Sequence, residues 1–412
     1  MDSTGFHTRR QLLAWLGMAG AGLGLQACGS GSDSGTDSGT GTGGPGVPTE
    51  RQRQAQRLQA QADACVKDGL VGVVLGRQDG VDAQPLRAAA GLTVMGTGQA
   101  LKGDERFIIG SNTKAMTATL AARCVERGLL HWDSRPVELL PSETTGQQAA
   151  YQDLTLARLL DHRGGLPAFT SERDLERFAA YLQGYASELP GTETGRRRFF
   201  VAWLLTQAPA ARPGVDYFYS NAGYVLAAAM LEAASGKDFK TLFASELSVP
   251  LQLDVAWGAP VGAGQPRGHV GLSAQQLTVL PEVPDDTRDW LAVMGPAGEA
   301  NLAAPSYAHW LHLHQQALQG QGTALPRSYV SRLQALRPGD YALGWGASDF
   351  NGRTLLAHTG ADAGFMSLAV VSQDGQMNLF GLSNTFGMRS DGNSSWVLER
   401  LNAAALELLR PL

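Results

Sequence analysis

Phe107-Ile108-Ile109-Gly110-Ser111-Asn112-Thr113-Lys114 joins an apolar run to a helix across a single glycine. The run is short and leads into Gly110-Ser111, and a helix is expected from about Ser111. Ala115, Met116, Leu120 and Cys124 recur along it at helical spacing, and Gly128 after Arg127 stops it. Positions i and i+3 of a helix share a face, so the hydroxyl of Ser111 and the amine of Lys114 can meet. A serine needs a nearby base to become a nucleophile, and a desolvated lysine with a lowered pKa can serve. The N–H groups of the helix start would face negative charge developing there. This is the only Ser-x-x-Lys in the chain, yet by itself it equally fits a capping serine beside a solvated lysine.

Outward from this junction, residues 51–67 read as a polar, Gln- and Ala-rich amphipathic helix. Leu70 to Leu75 and Leu86 to Val94 read as strands around the turn at Asp79-Gly80. From about 130 to 330 the chain reads as mainly helical with long Gly/Pro-rich loops, and Tyr224 to Ala234 is an apolar helix. Tyr341–Trp345, Arg353–Ala357, Phe365–Val371 and Met377–Leu382 read as strands, with hairpin turns at Asn351-Gly352 and Asp374-Gly375. A last helix is expected from about Ser395 to Leu409. Strands at both ends with helices between predict an α+β fold. Its antiparallel sheet is built from residues 51–115 and 335–412, flanked by helices and interrupted by a large helical insertion over 116–334.

Two further motifs carry chemistry. Tyr217-Phe218-Tyr219-Ser220-Asn221 follows the turn at Pro213-Gly214, and Tyr-x-Asn on a loop can present a phenol beside an amide. It also fits a core aromatic beside a helix cap. Ala357-His358-Thr359-Gly360 ends a strand, where a glycine lets another backbone approach. An exposed edge there can align an extended substrate through main-chain hydrogen bonds.

Ser-x-x-Lys, Tyr-x-Asn and His-Thr-Gly in this order resemble the signature of the serine penicillin-recognising family. That family covers class C β-lactamases, D-alanyl-D-alanine carboxypeptidases, D-aminopeptidases and family VIII carboxylesterases. Leu159-Leu160-Asp161-His162-Arg163-Gly164-Gly165-Leu166-Pro167 and Tyr341-Ala342-Leu343-Gly344-Trp345 are similar to two of its secondary segments, and the likeness spans nearly all of residues 55–412. The resemblance implies a β-lactamase/transpeptidase-like fold with the site between the sheet and a helical domain. It implies that Ser111 is acylated, Lys114 takes its proton and Tyr219 relays protons. It also implies that Asn221 orients the substrate amide, that His358, Thr359 and Gly360 align substrate, and that the N–H groups of Ser111 and Ala361 form the oxyanion hole. Two departures stand out. Many members carry Lys where this chain has His358. The usual Pro-Ala-Gly-Gly-x-x-Ser segment reads Pro296-Ala297-Gly298-Glu299-Ala300-Asn301. A histidine near its reference pKa of about 6.5 would attract a substrate carboxylate only when protonated. The expected activity is therefore peptide or ester hydrolysis with slow β-lactam turnover. A class C-like β-lactamase and a non-catalytic penicillin-binding lipoprotein are the rival readings.

The start of the chain reads as an address. Thr8-Arg9-Arg10, a short Gly-rich apolar run and Leu25-Gln26-Ala27-Cys28 resemble a twin-arginine signal ending in a lipobox, with Cys28 lipidated. Residues 29–50 read as a flexible Gly/Ser/Thr tether, which cannot bury enough apolar surface to fold. The expected location is thus the cell envelope, with a membrane reached through a lipid anchor. The remaining cysteines, Cys65 and Cys124, read as buried thiols. With 412 residues, 43% of them hydrophobic, the chain can bury a large core, and a net charge of -5 excludes nucleic acid as an expected partner. Arg196-Arg197-Arg198 reads as a solvated helix end, and His309, His312 and His314 as a polar helix face, not a zinc site. No metal and no organic cofactor is expected. The substrate class is a small molecule or a peptidoglycan-like peptide.

Overall fold

The computed structural model describes residues 48–185, 189–281, 289–290, 292–390, 392 and 394–411. The expected signal peptide, Cys28 and nearly all of the tether lie outside the described residues. Five helices and seven strands frame the site. The helices are α1 (Glu50–Lys67), α2 (Thr113–Glu126), α3 (Asn221–Ser235), α4 (Ala304–Leu318) and α5 (Trp396–Leu409). The strands are β1 (Gly72–Asp79), β2 (Leu86–Gly91), β3 (Tyr341–Ala342), β4 (Trp345–Phe350), β5 (Arg353–Asp362), β6 (Phe365–Ser372) and β7 (Met377–Ser383).

The strands form one antiparallel sheet in the order β2-β1-β7-β6-β5-β4-β3. Val73 pairs with Ser383 and Asp79 with Met377, so the two ends of the chain meet as the sequence predicts. Successive residues of β6 point to opposite faces. Leu368 and Val370 pack with Leu58 of α1 and Leu401 of α5, whereas Ala369 and Val371 join the larger core that holds α2, α3 and α4. Because both faces are covered, β6 and β7 carry apolar residues on both faces and show no regular polar–apolar alternation. Each fully buried aliphatic side chain there contributes about 1.5–3 kcal/mol.

Three local expectations are corrected. Tyr341–Trp345 is not one strand: Leu343 and Gly344 take left-handed backbone (φ 53° and 86°) and turn the chain between β3 and β4. The strand expected to end at Ala357 runs on to Asp362, because β6 supplies partners as far as Phe365 opposite Asp362. The mainly helical middle also holds Val255–Trp257 and Ala300–Ala303; the latter pairs with Val255–Trp257 on one side and with Arg106–Ile108 on the other, in a small second sheet. Segments this short carry no readable alternation.

Cys65 and Cys124 are free and buried, in separate cores. The arginine triplet is not a solvated helix end. Arg197 is fully buried between Glu232 and Glu193, while Arg196 pairs with Asp289. Among the described residues, no helix is long and apolar enough to cross a membrane.

Candidate active site

Gly110 turns the chain at φ 52°, and Gly110–Asn112 form a single 3-10 turn before α2 begins at Thr113. Side chains clamp this turn to the sheet. Asn112 Nδ2 donates to Ser367 Oγ at 2.7 Å, and Ser367 Oγ donates to the Ile109 carbonyl at 2.7 Å. β4 pairs with β5 only as far as Ala357, so residues 358–362 of β5 lack a strand partner on that side. The turn packs against this stretch of β5. A Cβ on Gly110 would lie 2.4 Å from the Ala361 nitrogen, and one on Gly360 would lie 2.8 Å from the Ser111 nitrogen. Only glycine at both positions lets the two backbones come this close. The backbone at Ser111 and the backbone at Ala361 thereby lie side by side, as an oxyanion hole built from their two N–H groups would require.

Lys114 sits one helical turn after Ser111 and is fully buried. Its Nζ lies 3.0 Å from Ser111 Oγ, 2.6 Å from Asn221 Oδ1 and 2.7 Å from the Ala297 carbonyl. Burial holds its pKa well below the usual lysine range, against the charge of Asp362, which works the other way. A neutral amine has two N–H groups, and the Asn221 and Ala297 oxygens accept both. Its lone pair then faces Ser111 as a proton acceptor.

Tyr219 reaches the same atom from another element. Ser220 is extended (φ -144°, ψ 118°), and its hydroxyl accepts the Gly223 N–H to cap α3 and donates to the Pro167 carbonyl. Tyr219, one residue earlier, donates its hydroxyl to Ser111 Oγ at 2.8 Å. Burial pushes its pKa far above the ordinary tyrosine value, so the phenol stays protonated. His162 packs on Tyr219 with ring centroids 4.2 Å apart and accepts the Ser220 N–H through Nδ1. Its own pKa is driven well down by burial and by Lys114, which keeps that nitrogen an acceptor.

His358 and Asn221 depart from the expectations. His358 is 2% exposed and does not line the cleft. Its Nδ1–H donates to the Thr359 carbonyl at 2.6 Å, and its Nε2 accepts from the Tyr341 hydroxyl at 3.1 Å. Burial, then the nearby Lys114, pushes its pKa down to about 3. It is neutral at physiological pH with both ring nitrogens engaged, so it offers a substrate carboxylate neither charge nor a free donor. Asn221 lines the cleft, but its amide serves the protein, accepting from Lys114 and donating from Nδ2 to the Phe169 carbonyl at 2.9 Å.

The histidines of α4 are not one polar face. His314 is buried between the Trp310 carbonyl and the Tyr329 hydroxyl, His309 meets the Leu251 carbonyl, and His312 meets Gln78.

Ser111 opens onto a cleft of about 610 Å³, walled by Phe169, Trp257, Leu280, Met294 and Phe365. Two acids in it, Glu299 and Asp362, were not singled out from the sequence. Glu299 was legible only as a departure at a position where glycine is usual, and Asp362 carried no motif.

A family model described as Beta-lactamase matches residues 55–404. Penicillin-binding protein 4 of Amycolatopsis lactamdurans is 24% identical over 320 residues, which is 72% of this chain and 76% of that protein. Among solved structures, a D-stereospecific amidohydrolase from Streptomyces superposes with TM-score 0.65 at 22% identity, over 85% of this chain and 98% of that one. The D-amino acid amidase from Ochrobactrum anthropi SV3 superposes with TM-score 0.67 at 19% identity, over 87% and 97%. At these identities the superpositions speak for the shared fold. The family match covers most of the length and includes every residue placed around Ser111, and by it the chain belongs to the Beta-lactamase family of hydrolases.

Proposed function

We propose that this protein is an acyl-transfer hydrolase with Ser111 as nucleophile, cleaving peptide, amide or ester bonds of small substrates. The observation that carries the reading is the convergence on Ser111 Oγ of a buried amine at 3.0 Å and a phenol at 2.8 Å. Their pKa values are displaced in opposite directions, which separates the base from the proton donor. Lys114 Nζ takes the Ser111 proton as Oγ attacks the carbonyl carbon. The N–H groups of Ser111 and Ala361 hold the oxyanion. On collapse, Tyr219 hands its phenolic proton to the leaving group and is reprotonated from Lys114, leaving an ester on Ser111. Water then attacks the acyl carbon as the same two groups take its proton; the acyl–Oγ bond breaks, the acid leaves and the proton returns to Ser111 Oγ. Thr359 and Gly360, on the open stretch of β5, align the substrate main chain, and Asn221 and His358 act by holding Lys114 and Tyr341.

D-configured substrates are favoured by the likeness to a D-stereospecific amidohydrolase and a D-amino acid amidase. The neutral, engaged His358 supports slow β-lactam turnover. No cofactor is part of the reading. We also propose that export and a lipid on Cys28 hold the protein at a membrane, supported by Leu25-Gln26-Ala27-Cys28 and the Gly/Ser/Thr stretch after it.

Intact-mass analysis after a fluorophosphonate or a penicillin should show one adduct, mapped to Ser111 and absent from folded Ser111→Ala. Labelling that persists in that variant would overturn the nucleophile. For the anchor, wild type should fractionate with membranes and Cys28→Ala should not carry lipid. An unlipidated, soluble mature protein would end that reading.

A further inference from the structure

His162 touches neither Ser111 nor Lys114, and the chemistry at Ser111 gives it no step. It follows the short helix Leu156–Leu160 at φ 55°, a left-handed backbone that glycine adopts freely and a residue with a side chain does not. Its side chain is buried, at 1% exposure. Both its backbone and its ring hold the loop that carries Tyr219. The His162 carbonyl accepts the Phe218 N–H at 2.8 Å, and its Nδ1 accepts the Ser220 N–H at 3.2 Å. The residues before and after Tyr219 are thus tied to one residue. The His162 ring packs on Tyr219 at a centroid separation of 4.2 Å, whereas the His358 ring is 6.2 Å away.

Because Nδ1 accepts, the proton of the neutral ring sits on Nε2. Nε2 is buried and meets no hydrogen-bond partner among the described residues. A left-handed backbone and a buried, unpartnered N–H are both costly, and glycine would avoid both. What glycine cannot supply is the acceptor for Ser220 and the ring beside Tyr219. The consequence falls on the Tyr219 hydroxyl, 2.8 Å from Ser111 Oγ. As the bond from the acyl carbon to the leaving oxygen or nitrogen breaks, its electron pair stays on that atom, which takes the Tyr219 proton. Such a transfer depends on close placement of the donor. A leaving group such as p-nitrophenolate departs as a stable anion and has little need of it. An alcohol or an amine does need it.

We propose that His162 is a positioning residue for leaving-group protonation: by holding the loop on both sides of Tyr219 it fixes the phenol on Ser111 and fits the enzyme to unactivated esters and amides. This rests on the proposed Ser111 chemistry and adds to it the residue that sets the range of leaving groups.

The test uses the full-length enzyme with p-nitrophenyl acetate and benzyl acetate. Both give the same acetyl-enzyme, so the ratio of their kcat/KM values reads acylation and is insensitive to partial loss of folded protein. His162→Gly keeps the left-handed backbone without strain, and His162→Asn returns an acceptor at the position of Nδ1. His162→Gly should lower the ratio of benzyl to p-nitrophenyl acetate by about tenfold or more, and His162→Asn should recover most of it. Tyr219→Phe should show the same selective loss, and adding His162→Gly to it should change the ratio no further. If p-nitrophenyl acetate acylates Ser111 but His162→Gly lowers both substrates equally, the positioning role is refuted and the hydrolase reading stands. Full additivity with Tyr219→Phe would refute the role as well. If neither ester acylates Ser111 in wild type, the hydrolase reading fails and the positioning role with it.

Discussion

Gly360→Ala isolates the close approach of β5 to the Ser111 turn. Gly360 is not left-handed, so alanine meets no backbone strain there and the cost is steric. The new Cβ would lie 1.9 Å from the Ile109 carbonyl oxygen, 2.6 Å from Ser367 Oγ and 2.8 Å from the Ser111 nitrogen. Reaching even a tight contact of 3.0 Å requires the turn and the strand to part by about 1 Å. Overpacking of this kind costs about 1–3 kcal/mol, which a chain with this much core can survive. The separation pulls the Ser111 and Ala361 N–H groups apart. A misplacement of about 1 Å, or the loss of one oxyanion donor, costs about 10²–10³-fold in rate. The expected result is a folded enzyme whose kcat for p-nitrophenyl acetate falls by about that factor, with a smaller change in KM. Thermal unfolding followed by circular dichroism reports the fold, and steady-state kinetics with a burst titration report the site. A folded Gly360→Ala enzyme within about threefold of wild-type kcat would refute the oxyanion placement.

Three further outcomes follow from the same geometry. Lys114→Met should lower kcat by about 10²–10⁴-fold. In wild type, kcat/KM should be lost as pH falls through the depressed Lys114 pKa, because the neutral amine is the active form, while Tyr219 adds no inflection below pH 9. An unchanged profile in the Met variant would contradict the base assignment. Since His358 is pushed down to about 3, it gains no charge between pH 8 and 6, so nitrocefin acylation should not accelerate over that range. An acceleration lost in His358→Asn would show that the ring titrates. Arg197→Met leaves the buried Glu232 without its ion-pair partner, and should destabilise the protein by about 3–5 kcal/mol in urea unfolding. A loss under about 1 kcal/mol would mean that the buried pair is dispensable.

Much was legible in the residues themselves. Strands at both ends with helices between predicted the split antiparallel sheet, because apolar runs and turn residues are local signals. Asn351-Gly352 turns at φ 53° and 79°, as that dipeptide predicts. Ser111 and Lys114 could be paired because helical spacing alone puts i and i+3 on one face. What the residues could not reveal depends on burial and on contacts between distant segments. His358 looked like a titratable substrate ligand, but its environment, Tyr341 and the Thr359 carbonyl, exists only once β3, β4 and β5 align. Arg197 looked like surface charge until α3 placed Glu232 against it. Glu299 and Asp362 lie 63 positions apart and share no motif. A pKa is set by desolvation and by charges across space, so only the folded chain decides which acids meet in one cleft and which amine is neutral.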